Sequence, residues 1–359
     1  MRRIGVIGGG LAGLAVSFRL SATGSPVVLF EPSARLGGQL WTERRHGFVV
    51  EHGAEGFVAR SEAVPALAGA LGIGADLVGQ SETRSFGFDG DRLRALAPGE
   101  AATFLGFQVP RDELGKGIRT FRGGMGQLSD ALALALAVPG RVALRRGAPV
   151  TTIVPAGAGW RVELAAGAAE EVAAVVVATT AAAAAPILAG AFGEVARALG
   201  AAPTVSSCTI TLAYARGAID HPLDGTGFVV AQGHQTHGFR ACTFITSKFP
   251  GRAPEGHVSL RLFFRPAPED LASMTDEAWI DRAGACLGLV LPVHAPPVHA
   301  WVSRWADALP VFEPAHVARV GALEAALAGR GVLLAGSAFH GAGIDAAVRS
   351  AEAAARALS

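Results

Sequence analysis

The chain has 359 residues, half of them hydrophobic and 17% charged, which excludes a disordered polymer and allows a sizeable core in two domains. Its 31 basic and 30 acidic side chains leave a formal charge of +1, so no nucleic acid or acidic polymer is expected as a partner. Three scattered cysteines, Cys208, Cys242 and Cys286, show neither a disulfide framework nor metal spacing, and fit a reducing, cytoplasmic compartment.

The chain opens on a strand pattern, Ile4-Gly5-Val6-Ile7, followed at once by Gly8-Gly9-Gly10-Leu11-Ala12-Gly13 and an apolar helical run. A second strand, Val27-Val28-Leu29-Phe30, ends at Glu31. Strand, glycine turn, helix, strand and acid make a dinucleotide-binding unit. Gly8 permits the tight turn, Gly10 lets backbone approach a pyrophosphate, and Gly13 lets helix and strand pack closely. The helix N-terminus offers unpaired N–H groups. Glu31, 18 residues past Gly13, is placed to accept hydrogen bonds from ribose hydroxyls. No signal peptide is expected, because glycines and Arg19 interrupt the apolar start. The apolar run 173–185 is too short for a membrane span, and the chain reads as soluble.

Farther on, residues 64–73 follow a helical pattern, and residues 86–93 read as a hairpin around Asp89-Gly90. Residues 98–120 are loop-like, and 120–128 lead into a helix ending near Ala137. Short strands are expected at 142–144, 150–154 and 160–164, with one apolar strand at 171–179. A helix from Ala181 to Leu199 precedes strands at 206–214, 227–230, 241–247 and 257–264. An amphipathic helix covers 276–291. The chain then returns through a strand at 331–336, a glycine-rich turn at 337–344 and a helix at 345–357. This order gives an α/β protein: a Rossmann-type domain with a discontinuous second domain on a mostly antiparallel sheet with helices. The expected divisions are 1–85, 86–120, 121–182, 183–300 and 301–359, the first, third and last belonging to the dinucleotide domain.

Gly341-Ala342-Gly343-Ile344 makes a second helix N-terminus preceded by glycines, suited to stabilising negative charge. His234 and His237 have no acidic or cysteine neighbour and read as a polar loop, so no metal is expected. No nucleophile elbow or paired carboxylates are visible. Lys248, one of two lysines beside Lys116, reads as a surface residue at a strand end.

Glu31-Pro32-Ser33-Ala34-Arg35-Leu36-Gly37-Gly38-Gln39 adds a second glycine pair beyond the acid, which suits a longer cofactor, FAD rather than NAD. With this segment the chain resembles the flavoproteins of the amine oxidase and protoporphyrinogen oxidase superfamily. Residues 49–60 (Val-Val-Glu-His-Gly-Ala-Glu-Gly-Phe-Val-Ala-Arg) and 301–355 are similar to the family's flavin segments. Residues 241–256 narrow the likeness to the protoporphyrinogen and coproporphyrinogen oxidases.

The resemblance implies non-covalent FAD. Its phosphates and ribose would be held by Gly8, Gly10, Leu11, Ala12, Gly13, Glu31, Pro32, Arg35, Gly37, Gly38 and Gln39. Val150, Thr179, Gly336 and Ser337 would contribute from later segments. The ring would lie by His52, Gly53, Ala54 and Glu55, by Trp305 in a tryptophan-to-proline turn ending at Pro310, and by Gly343, Ile344 and Ala347. FAD would carry the chemistry with no catalytic side chain and dioxygen as acceptor. The implied substrate is a tetrapyrrole touched by Arg84, Phe244, Arg261 and Phe263. In some amine oxidases a lysine holds a water near the flavin, a second reading of Lys248. The family's long helical insertion is reduced to about 25 residues here, 98–122, so no stable membrane insertion is expected. Residues 343–347 read Gly-Ile-Asp-Ala-Ala where the family has Gly-Ile-Pro-Asp-Cys. An amine oxidase or desaturase of another small molecule, or a non-catalytic flavin-binding scaffold, stays open.

Overall fold

The computed structural model describes residues 3–104 and 117–359; Lys116 and the middle of the shortened insertion lie outside the described residues. Ile4–Ile7 is buried along its whole length, as a strand covered on both faces must be. It pairs in parallel with Val27–Glu31 on one side and Ala174–Val177 on the other. Val142–Arg146 and Val332–Leu334 extend this to five parallel strands. Helices Leu11–Ala22, Gly126–Leu136 and Ile344–Leu358 close one face over Leu14, Leu132 and Val348. Helices Ala181–Leu199 and Pro314–Leu327 close the other over Leu188 and Leu323, with a three-stranded antiparallel sheet. This is the expected α/β architecture.

The expected strand 171–179 is two strands in two sheets. Ala169–Val172 ends the small antiparallel sheet, and Ala174–Val177 enters the parallel one. The break follows burial: Glu171 and Ala173 face solvent, whereas Ala174 through Val177 are covered on both sides. The membrane expectation also needs correction. Ala181–Leu199 is a 19-residue helix, apolar and long enough by composition to cross a membrane. In this fold it lays Ala184, Ala185, Ile187 and Leu188 into the core.

The second sheet has seven strands, in the order His299–Pro310, Thr204–Ala215, His257–Phe264, Phe239–Phe244, Gly227–Val230, Ser85–Phe88 and Leu93–Leu96. All neighbours are antiparallel except Gly227–Val230 with Ser85–Phe88. The hairpin expected within the insertion therefore builds this sheet. So does the segment from Trp301, counted by sequence with the dinucleotide domain. Trp305 and Pro310 flank a bulge within a strand rather than a turn: pairing with Thr204–Ala215 shifts between Val205 and Ser207, and Asp307 sits at φ 48°. Helix Asp276–Gly288 buries Trp279 and Leu287 against this sheet. The expected strand 241–247 stops at Phe244, and Ile245–Lys248 is a single helical turn.

Between the two sheets lies the hairpin Thr42–Arg45/Phe48–Glu51, turned by His46 and Gly47, both at positive φ. Its last residue, Glu51, is buried. Glu51 accepts from Met125 N at 2.7 Å, Thr42 Oγ1 at 2.6 Å and Arg252 Nη1 at 3.1 Å. Arg252 Nη2 also donates to Thr120 Oγ1 and Phe121 O, each at 3.0 Å. Burial pushes the Glu51 carboxyl up, and the partners only offset this in part. Arg252→Met should therefore cost about 3–5 kcal/mol by leaving a buried carboxylate unpaired. Chemical denaturation checks this, and Arg252→Met/Glu51→Gln should recover part of the loss.

Candidate functional site

The crevice sits at the carboxyl ends of the parallel strands, where open α/β sheets bind ligands. Gly8, at φ 106°, carries its chain so close to Ala178 that a Cβ would stand 2.5 Å from Ala178 O. A Cβ on Gly13 would stand 1.8 Å from Gly8 O. The second glycine pair folds onto the first: Gly37 N donates to Gly9 O at 2.8 Å, and Gly38 lies over Gly10. Glu31 closes this loop, its Oε2 accepting from Gly9 N at 2.7 Å and its Oε1 from Ser33 N and Oγ. Pro32 is exposed beside it, and Ala148 N donates to Glu31 O, which brings the approach to Val150 alongside.

Leu11 and Ala12 begin a helix whose N-cap, Gly10, provides no side-chain cap. Thr179 lies against Gly8, and Gly336, followed by Ser337, lies against Ala12. The last helix, starting at Ile344 with Ala347 in its first turn, is also uncapped by a side chain, and the space in front of Gly343 is open. Two uncapped N-termini and three backbone-lined glycine loops form a cradle that side chains would fill. These residues fit the phosphates and ribose of FAD. Arg35 borders the cradle, donating to Leu36 O and Leu40 O, with its guanidinium 5.0 Å from the Trp41 ring centre.

The segment after Glu51 is held from several sides. Gly53 is pressed onto Gln39, where a Cβ would stand 1.7 Å from Gln39 O. Gln39 Nε2 in turn donates to Ala308 O at 2.7 Å. Trp305 Nε1 donates to His52 O at 2.7 Å. The His52 ring stacks on Trp41 at 3.9 Å, with Nδ1 2.8 Å from Ser303 Oγ and Nε2 3.0 Å from Glu43 Oε2. Trp41, Glu43 and Ser303 were not singled out by sequence. The period-two series Trp301, Ser303, Trp305 was the available signal, since it puts three side chains on one face of a strand.

Ala54 leads to Glu55, whose Oε1 meets Lys248 Nζ at 2.5 Å and Thr243 Oγ1 at 3.3 Å. Lys248 is thus no surface lysine: it is 5% exposed. Burial alone would raise the Glu55 carboxyl, but Lys248 and Arg261 outweigh it and hold it below the usual range.

The expected substrate contacts do not assemble. Arg261 is buried, donating to Gly53 O at 2.6 Å, His52 O at 3.3 Å and Thr209 Oγ1 at 3.1 Å. The cavity beside it, lined by Glu51, Glu55 and Arg252, has about 10 Å³, room for at most one water. Phe263 is half-buried under the Arg261 guanidinium, and Phe244 is fully inside the core. Arg84 lies across the sheet, 56% exposed and paired with Asp224. Sequence could place Phe244, Arg261 and Phe263 on strands, but not show that register opposes Thr243 to Arg261 and so turns Phe244 to the other face, or that Arg84 pairs with Asp224 just before its strand.

Burial lowers the pKa of His52, outweighing the support of Glu43. The native state therefore binds fewer protons than the unfolded state, and stability falls as pH drops through the unfolded value of about 6.5. Denaturation midpoints should decline between about pH 7 and pH 5.5. His52→Gln should flatten that decline without abolishing it, because His221 is depressed as well.

Residues 98–359 match the family described as flavin-containing amine oxidoreductases, and residues 6–71 match an NAD(P)-binding Rossmann-like domain. A coproporphyrinogen III oxidase of Propionibacterium freudenreichii subsp. freudenreichii is 30% identical over 65% of this chain and 43% of its own length. That of Bacillus subtilis (strain 168) is 29% identical over 42% and 33%. The chain thus aligns with less than half the length of these relatives. Among solved structures, a candidate protoporphyrinogen oxidase from Exiguobacterium sp. 255-15 superposes with a TM-score of 0.83 at 22% identity, covering 99% of this chain and 98% of that one. A cyclohexylamine oxidase from Brevibacterium oxydans IH-35A gives 0.73 at 16%, covering 99% of both chains. Those identities establish the shared fold. With the match spanning well over half of its residues, the chain belongs to the flavin-containing amine oxidoreductase family.

Proposed function

We propose that this FAD-dependent oxidoreductase oxidises a porphyrinogen, coproporphyrinogen III or protoporphyrinogen IX, to the porphyrin. The observation that carries the reading is the meeting of the uncapped first helix and the paired glycine loops with the His52–Gly53 segment pressed onto Gln39. FAD, when bound, supplies the hydride acceptor for a reduced macrocycle carbon and returns the electrons to dioxygen. The chain supplies binding and orientation. Glu31, at the end of its strand, is placed for the ribose, and the two helix N-termini favour negative charge.

The names of the relatives support the substrate class, and so does the surface around His52. Trp41, 39% exposed, and Trp305 both touch His52, with Arg35 over Trp41. Two indoles and a guanidinium suit a broad ring that is apolar at its centre and carboxylated at its rim. The three cysteines are buried and unpaired, which supports a cytoplasmic setting.

Protein loaded with FAD, mixed without air with each porphyrinogen, should lose its oxidised flavin absorbance and regain it on aeration. No bleaching by either, in protein that dithionite does reduce, overturns the substrate reading. Bleaching by an amine instead would establish the amine oxidase alternative. Glu31→Ala should weaken FAD roughly tenfold to a hundredfold, as loss of a charge-assisted bond of about 1.5–3 kcal/mol requires. Unchanged affinity in a titration of apoprotein would show that the acid acts only on its own loop.

A further inference from the structure

The carboxylate of Glu55 stands between two cations, Lys248 on the helical turn Ile245–Lys248 and Arg261 on the strand His257–Phe264. Lys248 Nζ is 2.5 Å from Oε1, and Arg261 Nη1 is 3.7 Å from Oε2. Arg261 reaches the same loop a second time, through Nη2 on Gly53 O. From the opposite side Gly53 has no room to retreat, because Gln39 O occupies the space a Cβ would need. A shift of Glu55 must therefore move the backbone of residues 52–54, which the cofactor reading places along the flavin ring.

We propose that Lys248 is a positioning residue for the flavin: by pairing with Glu55 inside the protein it fixes the backbone at His52, Gly53 and Ala54, and it acts through that carboxylate rather than on the cofactor itself. Its side chain is only 6% exposed, whereas a group that touches the flavin directly must open onto the crevice. A buried ion pair is held in one geometry, whereas an exposed lysine samples many, so the pair can set a loop. The inference rests on the FAD reading given above.

A double-mutant cycle tests it: Lys248→Met, Glu55→Gln and the two together, with FAD affinity of the apoprotein and visible circular dichroism of the bound flavin as readouts. Each single variant should lose about tenfold or more in affinity and change the flavin spectrum, and the double variant should lose no more than the worse single. Glu55→Gln with wild-type affinity and spectrum, beside a defective Lys248→Met, overturns the proposal in favour of direct action by the lysine. Losses that multiply in the double variant overturn it too. Where Glu55→Gln does not fold, Glu55→Asp replaces it: the charge stays and the reach shortens, so an unchanged spectrum and affinity refute positioning, and a defect supports it. Wild-type protein with no affinity for FAD refutes the cofactor reading and this proposal together, a result that no pattern among the variants imitates.

Discussion

Two carboxylates that cannot stay buried alone fix the relation between the sheets. Glu51 and Glu55 are four residues apart, and their partners Arg252 and Lys248 are four residues apart on the other side. The two pairs run in opposite directions, like rungs between one chain and another. Desolvating a carboxylate costs several kcal/mol unless a cation and hydrogen bonds compensate. Any docking of the seven-stranded sheet that misplaced Lys248 and Arg252 would therefore leave two charges uncompensated. Val49 N on Arg252 O at 3.0 Å and Ser81 N on Lys248 O at 2.9 Å add backbone ties to the same joint.

With the joint fixed, the crevice follows from close backbone approach. Gly8 against Ala178, Gly38 over Gly10 and Gly53 against Gln39 are contacts between main chains, and the first and last leave no space for a side chain. Main chain rather than side chain then lines the cradle, and its N–H groups at the two uncapped helix starts supply the positive end of the dipole. The cradle thus uses parts from residues 8–13, 31–39, 52–54 and 336–347, which the parallel sheet and the ion-paired joint bring to one place.

Local signals were legible in the sequence, and non-local ones were not. Strands Gly227–Val230 and His257–Phe264 fall where their β-branched and aromatic patterns place them. The first βαβ unit needs only 31 residues of context. Lys248 read as exposed because its burial depends on a partner 193 positions away. Arg261 read as a substrate contact because nothing nearby in sequence shows that its guanidinium points to the backbone of residues 52 and 53. The run 171–179 read as one strand because valines and alanines suit a half-covered sheet and a fully covered one alike. Only the packing of both sheets decides that the chain changes sheets at Ala173.

The formal charge of +1 conceals an uneven distribution. Among the described residues the joint gathers Lys248, Arg252 and Arg261 around Glu51 and Glu55, three cations against two carboxylates. The cation beyond the two pairs, Arg261, donates to the backbone oxygens of His52 and Gly53, and the two helix N-termini add partial positive charge at the cradle. Such fields act most strongly where water is excluded, because the effective dielectric constant is low. An electron acceptor seated in this crevice gains negative charge as it is reduced, and fixed positive charge then favours the reduced form. Arg261 therefore ties residues 52 and 53 to the second sheet and also adds to the field in the crevice, whereas Lys248 and Arg252 are each neutralised by a carboxylate.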